Sequence, residues 1–409
     1  MKVVMITSVP AVPSDAGNRA RIRALAEEIL SLGHELVLVL LPMDRRDLDA
    51  PRHQAHFDQV PGRCRVIGLS NGGRLGQRGY RLRRSLRKGW RKPLRALGLE
   101  AGFYTALDLF WNPRWDAPLR DICRDAGVVM VEYAFSSKAF EAAPAGARKI
   151  LDTHDILSDR HRTFRGRGLD HWVSLQPSDE CRAFRRADVV LAIQEDEARA
   201  IRALLQQHGR GDGADTPEVA VVSHLPRPST LPATPGDGMD GLFVGSDNPA
   251  NRASLSVFVD HTLPRVTQAL PAFRLVVAGT ICRSLPDHPN IRKMGVVEDL
   301  SQVYRDASFS LNPMEVGTGI NIKLLDAMAA GLPVVSTLTG VRGVPPKDCG
   351  GIRIVGDQDH AAFAGEVIAL AEDAELRRSL GDESLRASRA WVRQQARELA
   401  NQIEGRLSA

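Results

Sequence analysis

The sequence predicts an α/β protein built from two doubly wound domains in tandem. Three observations carry that prediction. The chain has 409 residues, too many for one ordinary core at roughly 150 residues per domain. Short runs rich in Val, Ile and Leu alternate with helical patterns along most of its length, as right-handed βαβ units around a parallel sheet require. The series is interrupted by two neighbouring stretches, residues 206–217 and 226–241, whose Gly, Asp and Pro content is that of a hinge.

Residues 2–8 read as the first strand. Residues 18–32 place Ile22, Leu25, Ala26, Ile29 and Leu30 on one helical face, and Gly33 follows where a left-handed C-terminal cap belongs. Strands are expected at 35–41, 128–133, 149–152 and 188–193. Their apolar character on both faces suits strands covered by helices on either side. Beyond the hinge-like stretches, 241–245, 273–279, 291–295, 307–312, 332–336 and 352–355 continue the series. A helical tail over 376–407 is expected to break near Gly381. This gives a first domain over 1–222, a second over 223–390, and a C-terminal helix over 391–409 that packs back on the first domain.

Composition excludes several classes. Hydrophobic content of 43% with 25% charged residues is that of a soluble globular chain. The five cysteines stand singly with no CxxC spacing, which argues against a disulfide framework or zinc ribbon and for a reducing compartment. The N-terminal apolar run has a strand's length, short of a signal peptide's core. The longest apolar stretch, 36–43, is far below the roughly 20 residues of a spanning helix. The expectation is a cytoplasmic protein, at most peripheral on the inner face of the membrane.

Net charge is +5, but ten Lys or Arg and no Asp or Glu lie in residues 74–95. Without them the rest of the chain carries −5. Leu82, Leu86, Trp90 and Leu94 recur every four residues in this segment, an apolar stripe among Arg83, Arg84, Arg87, Lys88 and Arg91, although Gly89 and Pro93 weaken a helix. Two readings stand side by side: a solvated basic segment, and a surface that docks on anionic lipid or the acceptor, which Trp90 and the cations suit. Nucleic acid is not expected as a partner, because the interleaved aromatics of single-strand binders are missing.

The most informative segment runs from Asn312 to Ser336, NPMEVGTGINIKLLDAMAAGLPVVS. It reads strand, glycine-rich loop, helix, small residues, strand. Gly317 and Gly319 let the backbone approach a ligand, and the helix, expected over about 320–330, points its free N–H groups and positive end at the loop, an anion site. Lys323 stands in the first turn, where a cation is disfavoured unless an anion lies beside it. Asp326 shares its face at i+3. By itself the segment also fits an ordinary βα turn carrying a Lys323–Asp326 surface ion pair.

Several segments together resemble the glycosyltransferases of the two-Rossmann, GT-B fold, in particular the retaining family 4, or group 1, type. Asn312 to Ser336 is similar to that family's donor-binding signature. FVGSDNPAN from Phe243 resembles the first strand and loop of its donor domain, and VVAG from Val276 and NIRKMGVVEDL from Asn290 the next two units. LDTHDILSDR from Leu151 resembles its HD segment, and PSDAGNR from Pro13 its first glycine loop. Residues 60–118 resemble nothing in the family.

The resemblance implies two Rossmann-like domains facing a cleft, and sugar transfer from a nucleotide-sugar donor to an acceptor, here a lipid-linked or envelope glycan, with retention. No cofactor or metal is expected, because cations and a helix N-terminus neutralise the leaving group. Lys323 would pair with the diphosphate, joined by amides around Gly319, Ile320 and Asn321. Asp326 stands where the family has a ribose-binding Glu. Thr318 stands at the first Glu of its Glu-x7-Glu pattern, with Glu315 a nearby substitute. Gly245 and Ser246 form the loop after the donor domain's first strand; Ser246 replaces a frequent diphosphate-clamping Arg, for which Arg252 is a substitute. Val297 to Leu300 would border the base, with Asp299 as a cap. On the acceptor side His154 would orient the sugar, Asp155 and Arg160 would hold the loop or the acceptor, Gly17 and Asn18 would approach the phosphates, and Asp15 would cap a helix. The departures at Thr318, Ser246 and Asp326 indicate a divergent branch. They leave two rivals: a sugar-nucleotide epimerase, and a catalytically inactive scaffold of the same fold. An NAD enzyme is disfavoured, because the loop after the first strand lacks GxGxxG.

Overall fold

The structure, a computed structural model, describes every residue except 15, 44–47, 90, 167–170, 209–215, 230–235, 298–299, 318 and 406–409, together with all side chains of its helices except those of 87, 88, 163 and 164. The chain divides into two compact units. One comprises Met1–Val12, Ile22–Ser223 and Arg397–Ala409, the other Pro13–Arg21 and His224–Ala396.

The first unit is built on β1 (Lys2–Thr7), α1 (Gly17–Ser31), β2 (Glu35–Leu40), α2 (Ala50–Phe57), β3 (Cys64–Gly68), α3 (Gly73–Gly89), α4 (Arg91–Ala96), α5 (Asp116–Cys123), β4 (Val128–Glu132), β5 (Arg148–Asp152), α6 (Arg160–Arg165), α7 (Pro177–Phe184), β6 (Val189–Ala192), α8 (Glu195–Gln207) and β7 (Glu218–Val221). Its seven strands pair in the order β3-β2-β1-β4-β5-β6-β7, all parallel. The inner strands read as near-continuous apolar runs because helices cover both faces, and β1 and β4 are buried almost throughout.

The second unit follows with β8 (Asp240–Val244), α9 (Pro249–Val257), α10 (Leu263–Ala269), β9 (Arg274–Ala278), β10 (Ile291–Gly295), α11 (Leu300–Asp306), β11 (Phe309–Asn312), α12 (Ile322–Ala329), β12 (Val334–Thr337), β13 (Ile352–Val355), α13 (His360–Glu372) and α14 (Ala374–Glu404). Its six parallel strands run β10-β9-β8-β11-β12-β13. Phe243, Phe273 and Phe309 are fully buried at its centre, with the Phe273 and Phe309 rings stacked at 6.2 Å. Burial of each such ring contributes about 2–3 kcal/mol.

Both sheets reverse their winding between their first and fourth strands, β1 and β4 in one, β8 and β11 in the other. The carboxyl ends of the strands beside that switch are where an open α/β sheet offers a crevice. The fold is the expected two-sheet α/β architecture. Two strands escaped the sequence reading, β3 and β7. Both are edge strands that are not apolar on both faces, so they carry no buried-strand signature. The 31-residue α14 runs unbroken through Gly381, contrary to the expected break. A glycine costs a helix interior only about 1 kcal/mol, and packing outweighs that. Near the start of α14 the buried Arg377 guanidinium donates to the carbonyls of Leu370, Ala371 and Gly236 at 2.6–2.9 Å. From Arg397 on, the helix belongs to the first unit, within which Gln402 bonds Arg148 and Glu218 at 3.0 and 2.8 Å.

One backbone contact sets the loop after β8. Gly279 has φ +107°, and a Cβ there would lie 2.2 Å from the Gly245 carbonyl oxygen. Gly279→Ala therefore combines left-handed strain with a backbone clash. We expect a loss of about 2–4 kcal/mol of stability, read as a lowered denaturation midpoint; an unchanged midpoint would contradict this packing.

Candidate functional site

The second unit gathers its polar groups at the carboxyl ends of β8 and β11. β11 delivers Met314 to the start of the glycine-rich loop, and the loop leads into α12. This helix starts at Ile322, two residues later than expected, with Asn321 as its N-cap residue. The Asn321 side chain does not cap the helix. It donates instead to the Gly340 carbonyl at 2.7 Å. Among the described residues the first N–H groups of α12 have no side-chain acceptor, an arrangement suited to an anion.

Lys323 is the second residue of α12; the residue is partly exposed, but its ammonium is turned inward. Its Nζ lies 2.8 Å from Asn251 Oδ1 and 2.9 Å from Met314 Sδ, and 4.3 Å from the centre of the Phe243 ring. No carboxylate pairs with it among the described residues. Loss of hydration pushes the ammonium down to about 7. Asn251 also ties the loop after β8 to this group, donating from Nδ2 to the Ser246 carbonyl at 2.8 Å.

The Lys323–Asp326 ion pair of the alternative, ordinary-turn reading is not made. Asp326 Oδ1 accepts from His224 Nε2 at 2.9 Å, and its side chain keeps 29% of its exposure. Arg252, considered as a clamp, pairs with Asp247 at 2.7 Å. Arg252 first, and then Ser284, hold the Asp247 carboxyl below its usual range. Ser246 Oγ accepts from Asn248 Nδ2 at 3.1 Å. The Gly319 carbonyl accepts from Arg342 at 3.1 Å, which brings a second cation to the glycine loop. Ile320 is buried, and Gly317 and Gly319 are partly exposed. Glu315 donates its amide to Ser254 Oγ at 3.1 Å. Val297 lines a 160 Å³ cavity with Val276, Met294 and Val303. Thr318 and Asp299 lie outside the described residues. Asn251, Phe243, Met314, Arg342 and His224 were not singled out from the sequence; only Asn251 carried a local signal, three residues after the N-cap Asn248.

In the first unit the expected His154 stands two residues beyond β5, with φ +60°. Tyr133, one residue beyond β4, has φ +68°, and the two rings stack at 4.2 Å. Two bulky residues in the left-handed region store strain of order 1–3 kcal/mol each, which persists only where neighbours enforce it. His154 Nε2 lies 2.5 Å from Glu132 Oε2 and 3.4 Å from Asp152 Oδ2, all three groups buried. Glu132 and Asp152 end the adjacent strands β4 and β5 and are register partners. The three offer ligand atoms within 4.8 Å of one another, but 2.5 Å between nitrogen and oxygen is a hydrogen bond's separation. Asp155 pairs with Arg160 at 3.1 Å. Gly17 and Asn18 open α1, Asn18 Oδ1 accepting from the Arg19 amide at 3.0 Å, and this stretch groups with the second unit. Asp15 lies outside the described residues.

Behind the His154 loop Glu180 is fully buried on α7. It accepts from the Leu157 and Ser158 amides at 2.8 and 2.5 Å, and from the Ser158 hydroxyl. Burial pushes its carboxyl up to about 7 against these three bonds.

The basic segment forms α3 and α4 despite Gly89 and Pro93. Leu82 and Leu86 are 62% and 67% exposed, beside Leu75 at 81% and Leu97 at 75%. Tyr80 anchors the opposite face, donating to the Phe110 carbonyl at 2.8 Å. Arg83 is exposed, while Arg84 lies 5.6 Å over the Phe110 ring and is partly buried, as is Arg91. Trp90 and the side chains of Arg87 and Lys88 lie outside the described residues. Among the described residues no helix is long and apolar enough to cross a membrane.

Residues 239–373, about a third of the chain, match the family described as Glycosyl transferases group 1. No curated protein matches the sequence. Among solved structures, a TarM variant of S. aureus in complex with Fondaparinux, alpha-GlcNAc-glycerol and UDP is similar at a TM-score of 0.66, with 9% identity over 98% of this chain and 99% of that one. The pneumococcal O-GlcNAc transferase GtfA in complex with UDP and GlcNAc gives 0.64, with 12% identity over 99% of each chain. Sucrose-phosphate synthase from Thermosynechococcus elongatus gives 0.60, with 15% identity over 99% and 98%. At such identities the structural likeness speaks for the fold. The two-sheet architecture is that of the GT-B glycosyltransferases. With the family match across the second unit, it makes this chain a glycosyltransferase.

Glu180 supplies a pH test. Its carboxyl is raised in the folded protein, from an ordinary value of 4.5 to about 7. The stability it contributes is therefore present below the unfolded value and is lost as pH rises through this window. Glu180→Gln should remove that slope. The difference between the two proteins should change by about 3 kcal/mol between the ends of the window. Parallel stability curves would show that Glu180 ionises normally.

Proposed function

We propose that the protein transfers a sugar from a nucleoside-diphosphate sugar to an acceptor, a lipid-linked or envelope glycan, with retention at the anomeric carbon. One observation carries the donor assignment. Lys323 is a buried cation at the start of an uncapped helix, with amide, thioether and aromatic neighbours but no carboxylate among the described residues. Burying a charge without a counter-charge is costly, and a diphosphate would supply one. UDP is the first donor nucleotide to test, since the similar TarM and GtfA structures hold UDP.

In this reading the bond between the anomeric carbon and the diphosphate oxygen breaks as a bond to the acceptor oxygen forms. Lys323 and the α12 amides stabilise the departing negative charge, and the leaving phosphate takes the acceptor's proton. Asp326 holds the ribose hydroxyls. His154, held by Glu132, orients a sugar hydroxyl. The residues present supply the charge neutralisation, so no metal enters the proposed reaction.

The exposed leucines of α3, with Leu97 just beyond α4, and Arg83 with the other cations of that segment support docking on an anionic membrane surface that presents such an acceptor. Sedimentation with vesicles containing phosphatidylglycerol should retain the protein. The Leu82→Ser/Leu86→Ser double variant should release most of it, and equal binding to vesicles of phosphatidylcholine alone would argue against docking.

Lys323→Ala should lower kcat/KM at least about 100-fold, and undiminished transfer would reject the diphosphate role. Binding should also be proton-linked. An amine held near 7 is largely neutral above that pH and becomes charged beside an anion. Calorimetry of UDP binding at about pH 8, in buffers of different ionisation enthalpy, should therefore show proton uptake that Lys323→Met abolishes; no uptake in the unaltered protein would oppose this.

A further inference from the structure

The carboxylate assigned to the ribose is not free to choose its orientation. His224 is where the chain enters the second unit, and its side chain is only 3% exposed. Its Nε2 meets Asp326 Oδ1 at 2.9 Å. The strap that carries it is tied down at three points. The His224 carbonyl accepts from Trp391 Nε1 at 2.9 Å. The Ser229 amide donates to the carbonyl of Ala329, the last residue of α12, at 2.7 Å. The Ser229 carbonyl accepts from Arg389 at 2.9 Å. A histidine on a strap fixed to both α12 and α14 has little freedom of its own.

Two further polar atoms belong to this neighbourhood. His224 Nδ1 and the Tyr304 hydroxyl are buried with no hydrogen-bond partner among the described residues. Tyr304 lies on α11, and burial together with the Asp326 charge keeps its phenol protonated. Leaving buried polar atoms unpaired is costly, so the arrangement is retained at a cost. With Nδ1 unpartnered, His224 is best accommodated as the tautomer that carries its proton on Nε2 and donates it to Asp326. Oδ1 is thereby engaged, and Oδ2 is the oxygen left for a ligand on the 29% exposed side chain.

We propose that His224 is a positioning residue: it fixes the Asp326 carboxylate so that Oδ2 faces the vicinal hydroxyls of the donor nucleotide's ribose, and it thereby sets discrimination between ribose and deoxyribose. This rests on the reading of Asp326 as the ribose ligand. An aspartate whose one oxygen is already pinned presents a single directed acceptor, and a site built to accept a hydroxyl rejects the analogue that lacks it.

The test measures dissociation constants for UDP and 2′-deoxy-UDP by calorimetry on the full chain. Should UDP not bind, GDP or ADP with its deoxy counterpart replaces it. The unaltered protein is expected to prefer the ribonucleotide by about tenfold or more. His224→Leu should reduce that preference to less than about threefold. His224→Gln, whose amide N–H can take the place of Nε2–H, should restore most of it. A structural role would leave the ratio unchanged and lower both affinities together. Two results overturn the proposal: a ratio unmoved in His224→Leu, or His224→Gln no better than His224→Leu. Asp326→Ala separates the two levels. If it abolishes the preference while His224→Leu does not, the ribose reading stands and the role of His224 falls. If Asp326→Ala leaves the preference intact, the ribose reading fails and this inference with it. No binding of UDP, GDP or ADP to the unaltered protein overturns both.

Discussion

The arrangement of the second unit turns on a buried ammonium. Lys323 reaches the space between the ends of β8 and β11, where the Asn251 amide oxygen, the Met314 sulfur and the Phe243 ring face meet it. Each partner is electron-rich, and none carries a full charge. Together they make the burial tolerable without quenching the cation. A carboxylate in their place would have produced a closed ion pair with no affinity left for an anion. The site is therefore defined by what does not surround Lys323 as much as by what does.

The same logic of strand ends operates in the first unit with opposite charge. β4 and β5 end on Glu132 and Asp152, and the chain beyond each turns through a left-handed residue, Tyr133 and His154. The two carboxylates hold the imidazole by one nitrogen, while Tyr133 stacks on its face. Glu180 anchors the loop that follows through two backbone amides. A carboxylate accepting several N–H bonds would normally be stabilised in its ionised form. At this site complete burial outweighs them, so the anchor is a partly protonated acid near neutral pH. Strain at His154 and desolvation at Glu180 are local costs, and the packed parallel sheet beneath is large enough to offset them.

The departures from the resembled family become intelligible in this setting. The position of the frequent clamping Arg is Ser246, which only organises its own loop by accepting from Asn248. Arg252 is committed to Asp247. Arg342 approaches the glycine loop from beyond β12. The shorter Asp326, where a glutamate is usual, is matched by a histidine that reaches it from a distant part of the chain.

The architecture was largely legible in the sequence. Val-rich runs, Gly33 at a helix end, and the glycine loop between β11 and α12 are local signals whose meaning depends on a few neighbouring residues. They sufficed for the inner strands, for the order of elements and for Lys323 at the head of a helix. Edge strands β3 and β7 escaped because neither is a continuous buried apolar run, and α14 ran on through Gly381 because packing outweighed intrinsic propensity. What only the tertiary structure decided was the partner of each polar side chain. Lys323 and Asp326 are three residues apart yet turn to Asn251 and His224, 72 and 102 residues away in the chain. Glu132 meets His154 because β4 and β5 are neighbours in the sheet. A sequence states which residue types stand at which spacing. Which strand lies next to which is settled by the burial of the whole sheet, and that adjacency decides where every buried charge finds its partner.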